Sequence, residues 1–308
     1  MKIAYLIAAY DNPAHFGRLL DGILTPNSAA FVHIDAKSVI DPFVRFQRAG
    51  VHFAKTRNKV YWGDFSFIEA VLRMMREALD SAERFEYLAL ISGTDYPIRP
   101  IAELERFLAA HRGAQFMNMV PMPNDSMGKP ISRLERYKPR GGNRVEKVYS
   151  LIRDVFVRAK LMNGRRDYES ALGSMRPYGG STWWVITREA AEYIVDFMNK
   201  NPRFVRFYQN TWLPEEGMFQ TILANSHFAT SIRRNLLYTD WRQGGRHPKL
   251  IGQEHVLRFL GSEPITPDDR YGAGELFFAR KFNDAAGPLV EALRAHFQQK
   301  ASVPHRHN

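Results

Sequence analysis

An α/β fold, with a mostly parallel sheet covered by helices on both faces, is the architecture this sequence predicts. Two observations carry that expectation. Short runs of strand length at 3–9, 29–34, 51–54 and 87–91 alternate with longer stretches whose apolar residues recur at helical spacing. The first and last of these runs are apolar at almost every position rather than at every second one, the pattern of strands buried on both faces.

In order, residues 3–9 read as a buried strand that stops at the turn Asp11-Asn12-Pro13, although residues 1–10 superficially resemble a short signal peptide. Residues 13–24 carry Phe16, Leu19, Leu20 and Ile23 on one helical face. A strand at 29–34, a short helix at 42–48 and a strand at 51–54 follow. A long helix at 64–79 then presents Phe67, Ile68, Val71, Leu72, Met75 and Leu79 inward. Beyond the strand at 87–91 come a helix at 101–110 and a strand at 115–120. The region 122–177 is basic, contains Gly and Pro, and shows one clear helix, at 145–161. The aromatic, β-branched run Gly180-Ser181-Thr182-Trp183-Trp184-Val185-Ile186-Thr187 reads as a strand. Helices at 189–199, from Pro214 onward and at 286–299 complete the pattern. No repeat or low-complexity linker interrupts it, so one elaborated domain over 1–302 is expected, with a basic insertion at about 122–177 and a disordered tail at 303–308.

The chain has 308 residues, ordinary hydrophobic content and no cysteine, which excludes disulfides and thiolate zinc sites and suits a reducing cytoplasm. No apolar stretch approaches the length that spans a bilayer. The net charge is +11, and the segment 128–166 holds +9 of it, with twelve Lys or Arg against three acids. Such a segment is either a solvated insertion or a surface for polyanions: nucleic acid, anionic lipid headgroups or a phosphate-bearing substrate.

No GxGxxG follows the first strand and no GxxxxGK[ST] occurs, which argues against a dinucleotide enzyme or a P-loop NTPase. Nor is there an Asp-x-Asp pair, on which enzymes using nucleotide sugars commonly hold a divalent metal. Phe277-Phe278-Ala279-Arg280-Lys281-Phe282 instead sets two cations in an aromatic frame. They serve either an internal salt bridge or a diphosphate, which Arg grips with two donors and Lys with a compact charge. In parallel sheets ligands sit beyond the carboxyl ends of strands, which points to Asp35-Ala36-Lys37-Ser38 and Ser92-Gly93-Thr94-Asp95. Leu213-Pro214-Glu215-Glu216 places two carboxylates at a helix start, where they act either as capping charges or as a general base.

Six stretches, in order, resemble one family. They are Phe31-Val32-His33-Ile34-Asp35-Ala36-Lys37-Ser38; Val60-Tyr61-Trp62-Gly63; Leu90-Ile91-Ser92-Gly93-Thr94-Asp95-Tyr96-Pro97-Ile98-Arg99; Gly180-Ser181-Thr182-Trp183-Trp184; Leu213-Pro214-Glu215-Glu216 through Asn225-Ser226; and Phe278-Ala279-Arg280-Lys281-Phe282. They are similar to the core-2/I-branching β-1,6-N-acetylglucosaminyltransferase and peptide O-xylosyltransferase family, over nearly the whole chain. The resemblance implies a GT-A-type nucleotide-sugar fold that inverts the anomeric centre with no metal or other cofactor. It places Glu216 on the catalytic base, Asp35 on the carboxylate that contacts the nucleotide, and Arg280 and Lys281 on the basic pair that binds the diphosphate. Trp62 and Asp95 fall in motifs lining the donor side.

Trp241 resembles an aromatic on the acceptor side; a core tryptophan is the other reading of it. Thr182 stands where the xylosyltransferases carry an acid, so acceptor contacts should differ there. Without the cysteines of the animal members, the chain looks like a bacterial-type, cytoplasmic member. It is expected to use a UDP-sugar, UDP-xylose or UDP-N-acetylglucosamine, and a glycan or lipid-linked saccharide as acceptor. Glu215 is expected to cap the helix, and the basic segment to meet an anionic inner membrane or an acidic polysaccharide rather than nucleic acid. The competing class is a non-catalytic basic module binding nucleic acid or membrane.

Overall fold

The computed structural model describes residues 1–242, 244, 247–261 and 263–302, the side chains of residues 301 and 302 excepted. The tail expected at 303–308 lies outside the described residues. Strand β1 (Ile3–Ala9), helix α1 (Pro13–Ile23), β2 (Ser28–Ile34), α2 (Asp41–Val44), β3 (Val51–Phe53), α3 (Phe65–Leu79) and β4 (Tyr87–Ser92) follow the expected alternation. Next come β5 (Asp95–Pro97), α4 (Ile101–Ala110) and β6 (Gln115–Pro121). The basic region holds α5 (Ser132–Glu135), α6 (Arg144–Arg158) and α7 (Tyr168–Leu172), where one helix was expected. After it lie β7 (Tyr178–Thr187), α8 (Arg188–Lys200), α9 (Pro202–Gln209) and α10 (Met218–Ala224). The chain continues through β8 (Ile232–Arg233), β9 (Leu237–Thr239), α11 (Gln253–Phe259), the hairpin β10 (Asp268–Asp269) and β11 (Gly272–Ala273), β12 (Phe278–Arg280) and α12 (Gly287–Ser302).

The main sheet has seven strands in the order β3-β2-β1-β4-β7-β6-β8. β1 runs parallel to β2 and β4, so that Leu6 sits between Phe31 and Leu90. Only β7 reverses, pairing antiparallel with both β4 and β6. Alternate side chains of β1 enter opposite cores: Ala4 and Leu6 pack with α3, α8 and α10, while Ile3, Tyr5 and Ile7 pack with α1 and α4. Both faces are thereby covered, as the apolar runs required. Asp64 caps α3 by accepting the Ser66 amide at 2.9 Å, and Thr187 caps α8 by accepting that of Ala190 at 3.2 Å.

A second sheet, β5-β12-β9, stands at the carboxyl end of the first. Its register sets Arg280 between Asp95 on β5 and Thr239 on β9. None of its three-residue strands is long enough to announce itself by periodicity.

Candidate active site

Three strand ends converge. The loops after β1, β2 and β4 begin side by side: the Asp35 amide donates to Ala9 O at 2.9 Å, and the Gly93 amide to Ala8 O at 2.9 Å. Gly93 permits that approach, because a Cβ there would lie 2.5 Å from the Ala9 Cβ. The buried Asp35 carboxylate accepts the Lys37 amide at 2.9 Å and lies 3.4 Å from the Lys37 ammonium. It also accepts the Val60 amide at 3.3 Å, which ties Val60-Tyr61-Trp62-Gly63 to the end of β2. Trp62 itself is exposed and meets Trp212 edge to face, with ring centroids 4.9 Å apart. That contact joins it to the segment that leads into Glu216.

Arg280 is brought to the same rim by the second sheet. Its guanidinium lies 4.2 Å from the ring centroid of Trp183 on β7, and its Nε is 3.5 Å from Asp95 Oδ1. Asp95 is fully buried and accepts the Ser92 amide at 2.9 Å with its other oxygen. Burial pushes the Asp95 carboxyl up to about 6, against the opposing pull of Arg280 and the Ser92 amide. At 3.5 Å the pair falls short of a hydrogen bond, and Asp95 Oδ1 and Arg280 Nε both lack a hydrogen-bond partner. Lys281 is half-buried, with Nζ 3.5 Å from the Tyr10 hydroxyl. The two other acids near this pair in sequence are engaged elsewhere, the Glu275 carboxylate with Arg99 and the Asp284 carboxylate with the His15 amide.

Glu216 lies on a separate element. Leu213 adopts the left-handed conformation (φ 51°), a costly choice for a branched side chain, and donates its amide to Gly63 O at 3.2 Å. Pro214–Glu216 then forms a tight 3-10 turn, and Gly217 separates it from α10. The single helix start expected from Pro214 is thus two elements, because the non-helical backbone at Gly217 (φ −149°, ψ −34°) breaks the run. Glu216 Oε2 accepts from Lys129 Nζ at 2.5 Å and from Arg133 Nη1 at 2.8 Å. Lys129 also donates to Gly180 O at 2.6 Å, which pins this cluster to β7. Burial alone would raise the Glu216 carboxyl, but Lys129 and Arg133 outweigh it and hold the group below the usual carboxylate range. Burial lowers the Lys129 ammonium in turn.

Glu215, expected to act in capping, is buried, and its Oε2 has no partner. Burial pushes this carboxyl up to about 8, with the neighbouring Glu216 adding to the rise. A group sealed in this way cannot reach a substrate hydroxyl, so geometry rather than pKa keeps Glu216 as the candidate base.

β7 connects the two clusters. Gly180 takes the Lys129 bond and Trp183 carries Arg280, three residues and roughly 10 Å apart along the strand. Gly180 admits no side chain, since a Cβ would lie 1.7 Å from Asn118 O on β6. Thr182, half-buried, stands between the two clusters.

The family model for Core-2/I-Branching enzyme matches residues 3–262, a span that contains five of the six motifs. The chain belongs to the core-2/I-branching enzyme family. Among curated relatives, the xylosyltransferase oxt of Drosophila pseudoobscura pseudoobscura is 24% identical over 290 residues, covering 89% of this chain and 30% of that protein. Xylosyltransferase 1 of Mus musculus is 26% identical over 307 residues, covering 92% and 29%. The chain thus spans about a third of the length of these relatives. The solved apo structure of mouse xyloside xylosyltransferase 1 aligns over 79% of this chain and 90% of its own, with a TM-score of 0.32 and 10% identity.

The remaining site residues of this family member are placed as follows. Trp241 is exposed, which excludes the core reading. It follows Asp240, whose buried carboxylate is clasped by Arg242 at 2.6 Å and by His255 at 2.8 Å. These bonds, led by those from Arg242, hold the Asp240 carboxyl below its usual range. Lys129 and Arg133 escaped the sequence reading, because nothing in a basic run says that two of its members meet an acid 87 and 83 residues away. Among the described residues, no helix is long and apolar enough to cross a membrane.

Proposed function

We propose that the chain is an inverting, metal-independent glycosyltransferase. It moves a sugar from a UDP-sugar, UDP-xylose or UDP-N-acetylglucosamine, to a hydroxyl of a glycan or lipid-linked saccharide. The observation that carries this reading is the placement of two clusters along β7: an arginine and a lysine at one end and a partly exposed carboxylate at the other, held by strand residues roughly 10 Å apart. Arg280 and Lys281 offset charge on the departing diphosphate, a role that elsewhere falls to a divalent cation. Asp95, being sealed, acts through Arg280 by holding its guanidinium against Trp183. Asp35 and Trp62 border the nucleotide end, and the exposed ring of Trp241 offers a stacking face for the acceptor.

Glu216 is the general base. Its depressed pKa keeps it ionised at neutral pH, but both ion pairs use the same oxygen, Oε2. The incoming hydroxyl takes the other oxygen or displaces one of the cations. It attacks the anomeric carbon from the face opposite the diphosphate while its proton passes to Glu216, and one carboxylate suffices for inversion.

The first test is thermal. UDP in excess EDTA should raise the melting temperature of the wild type, and Lys281→Ala should remove the rise. A UDP effect that appears only when a divalent cation is added would reject the metal-independent reading.

A further inference from the structure

Helix α6 is turned inside out. Its apolar residues fall on one arc, as in any amphipathic helix, yet that arc faces away from the protein. Val145, Leu151 and Val155 are 79%, 67% and 63% exposed, and Val148, Ile152 and Phe156 are 56%, 51% and 45% exposed. None of the 15 residues of α6 is buried. The helix is held instead by a polar stripe on its inner side. Glu146 accepts the Arg140 amide and the Asn210 side-chain amide, each at 2.8 Å. Arg153 donates to Gly164 O at 2.6 Å and lies over the Tyr137 ring at 5.6 Å. Leu161 and Met162, 73% and 46% exposed, continue the patch beyond the helix end.

We propose that α6 is a docking surface for an anionic lipid bilayer, with its outward apolar face entering the headgroup–acyl boundary. Charge complementarity selects the occupant. Arg144, Lys147, Arg158 and Lys160 are exposed around the patch, opposed on the exposed side by Asp154. Lipid phosphates would pair those cations, whereas a second copy of the chain would set them against one another. Large apolar side chains on one face beside Lys and Arg are what an interfacial helix requires. With its polar inner stripe, α6 lies on a membrane and does not span it.

The stems of α6 fix what such docking would present. On one side the Gly141 amide donates to Asp64 at 2.7 Å, next to Trp62-Gly63. On the other, Arg166 donates to Asn210 O at 2.8 Å, just ahead of the Glu216 turn. The bilayer would therefore lie beside the mouth of the candidate active site.

Co-sedimentation with vesicles tests this. The wild type should sediment with phosphatidylcholine vesicles containing phosphatidylglycerol at low salt, and not with phosphatidylcholine alone. Val148→Ser, Ile152→Ser and Phe156→Ser together should weaken partitioning by a factor of about one hundred or more, because each buried large apolar group contributes roughly a factor of ten. The chain has no cysteine, so Phe156→Cys accepts a single environment-sensitive dye, whose emission should shift to the blue on the anionic vesicles. No sedimentation at low salt, undiminished binding by the triple variant, or unchanged dye emission would overturn the assignment. So would a wild-type dimer in sedimentation velocity that the triple variant abolishes, which would give the face to a second copy.

Discussion

Two carboxylate–cation clusters lie at successive points along β7, and they are built in opposite ways. At one end a fully buried Asp95 meets a single cation at 3.5 Å, and burial wins: its carboxyl is pushed up to about 6. At the other end Glu216, with its side chain 25% exposed, meets two cations at 2.5 and 2.8 Å, and the cations win. The first cluster is under-satisfied, with an acid oxygen and a guanidinium nitrogen left without hydrogen-bond partners. The second is held by more charge than it needs. A cationic group with spare donors is ready for an anion, and a clamped carboxylate must be loosened before it can work. On the proposed reading, the donor end waits to be completed and the acceptor end waits to be opened.

Removing the cation from the first cluster should have the largest effect. Arg280→Ala leaves Asp95 buried and uncompensated, which should cost about 3–5 kcal/mol of stability and abolish the UDP-dependent melting shift. Asp95→Asn in the same background should recover much of the stability and none of the UDP response. Recovery of both would show that Arg280 does no more than neutralise Asp95.

The next effect belongs to Glu215, the buried acid that neither cluster uses. Its folded-state pKa is raised to about 8, so the stability it contributes is present below the ordinary glutamate range and is lost as pH rises through 8. Glu215→Gln should therefore stabilise the protein at pH 8.5 by on the order of a few kcal/mol and change little at pH 4.5. Equal melting shifts at both pH values would count against a protonated, buried Glu215.

Loosening the second cluster should have a smaller effect. Arg133→Met removes one of the two cations on Glu216 and should move the acid limb of the pH–rate profile to higher pH. An unmoved limb would mean that Glu216 does not titrate in the rate. The smallest effect is expected at Trp241. Its exposure means that Trp241→Ala should change stability by no more than about 0.5 kcal/mol, while raising the KM for the acceptor.

The parallel half of the main sheet was legible because β1 and β4 are apolar at nearly every position, the pattern of strands buried on both faces. The second sheet was not legible, since β9 and β12 exist only as partners to one another and to β5. Within the site, Glu216 was visible beside its proline, and so were the adjacent cations Arg280 and Lys281. Asp95 as the partner of Arg280, and Lys129 and Arg133 as partners of Glu216, are products of tertiary approach that no local pattern records. The stripe of α6 was readable, but periodicity shows that a face exists, not that anything covers it.

Release of UDP from a panel of UDP-sugars in excess EDTA, measured for the wild type and Glu216→Gln side by side, tests the central claim most directly. The wild type should release UDP from at least one sugar with a suitable acceptor present. The variant should be slower by a factor of about 100 to 10,000, with its UDP melting shift intact. Equal rates in the two proteins would remove Glu216 from the base position.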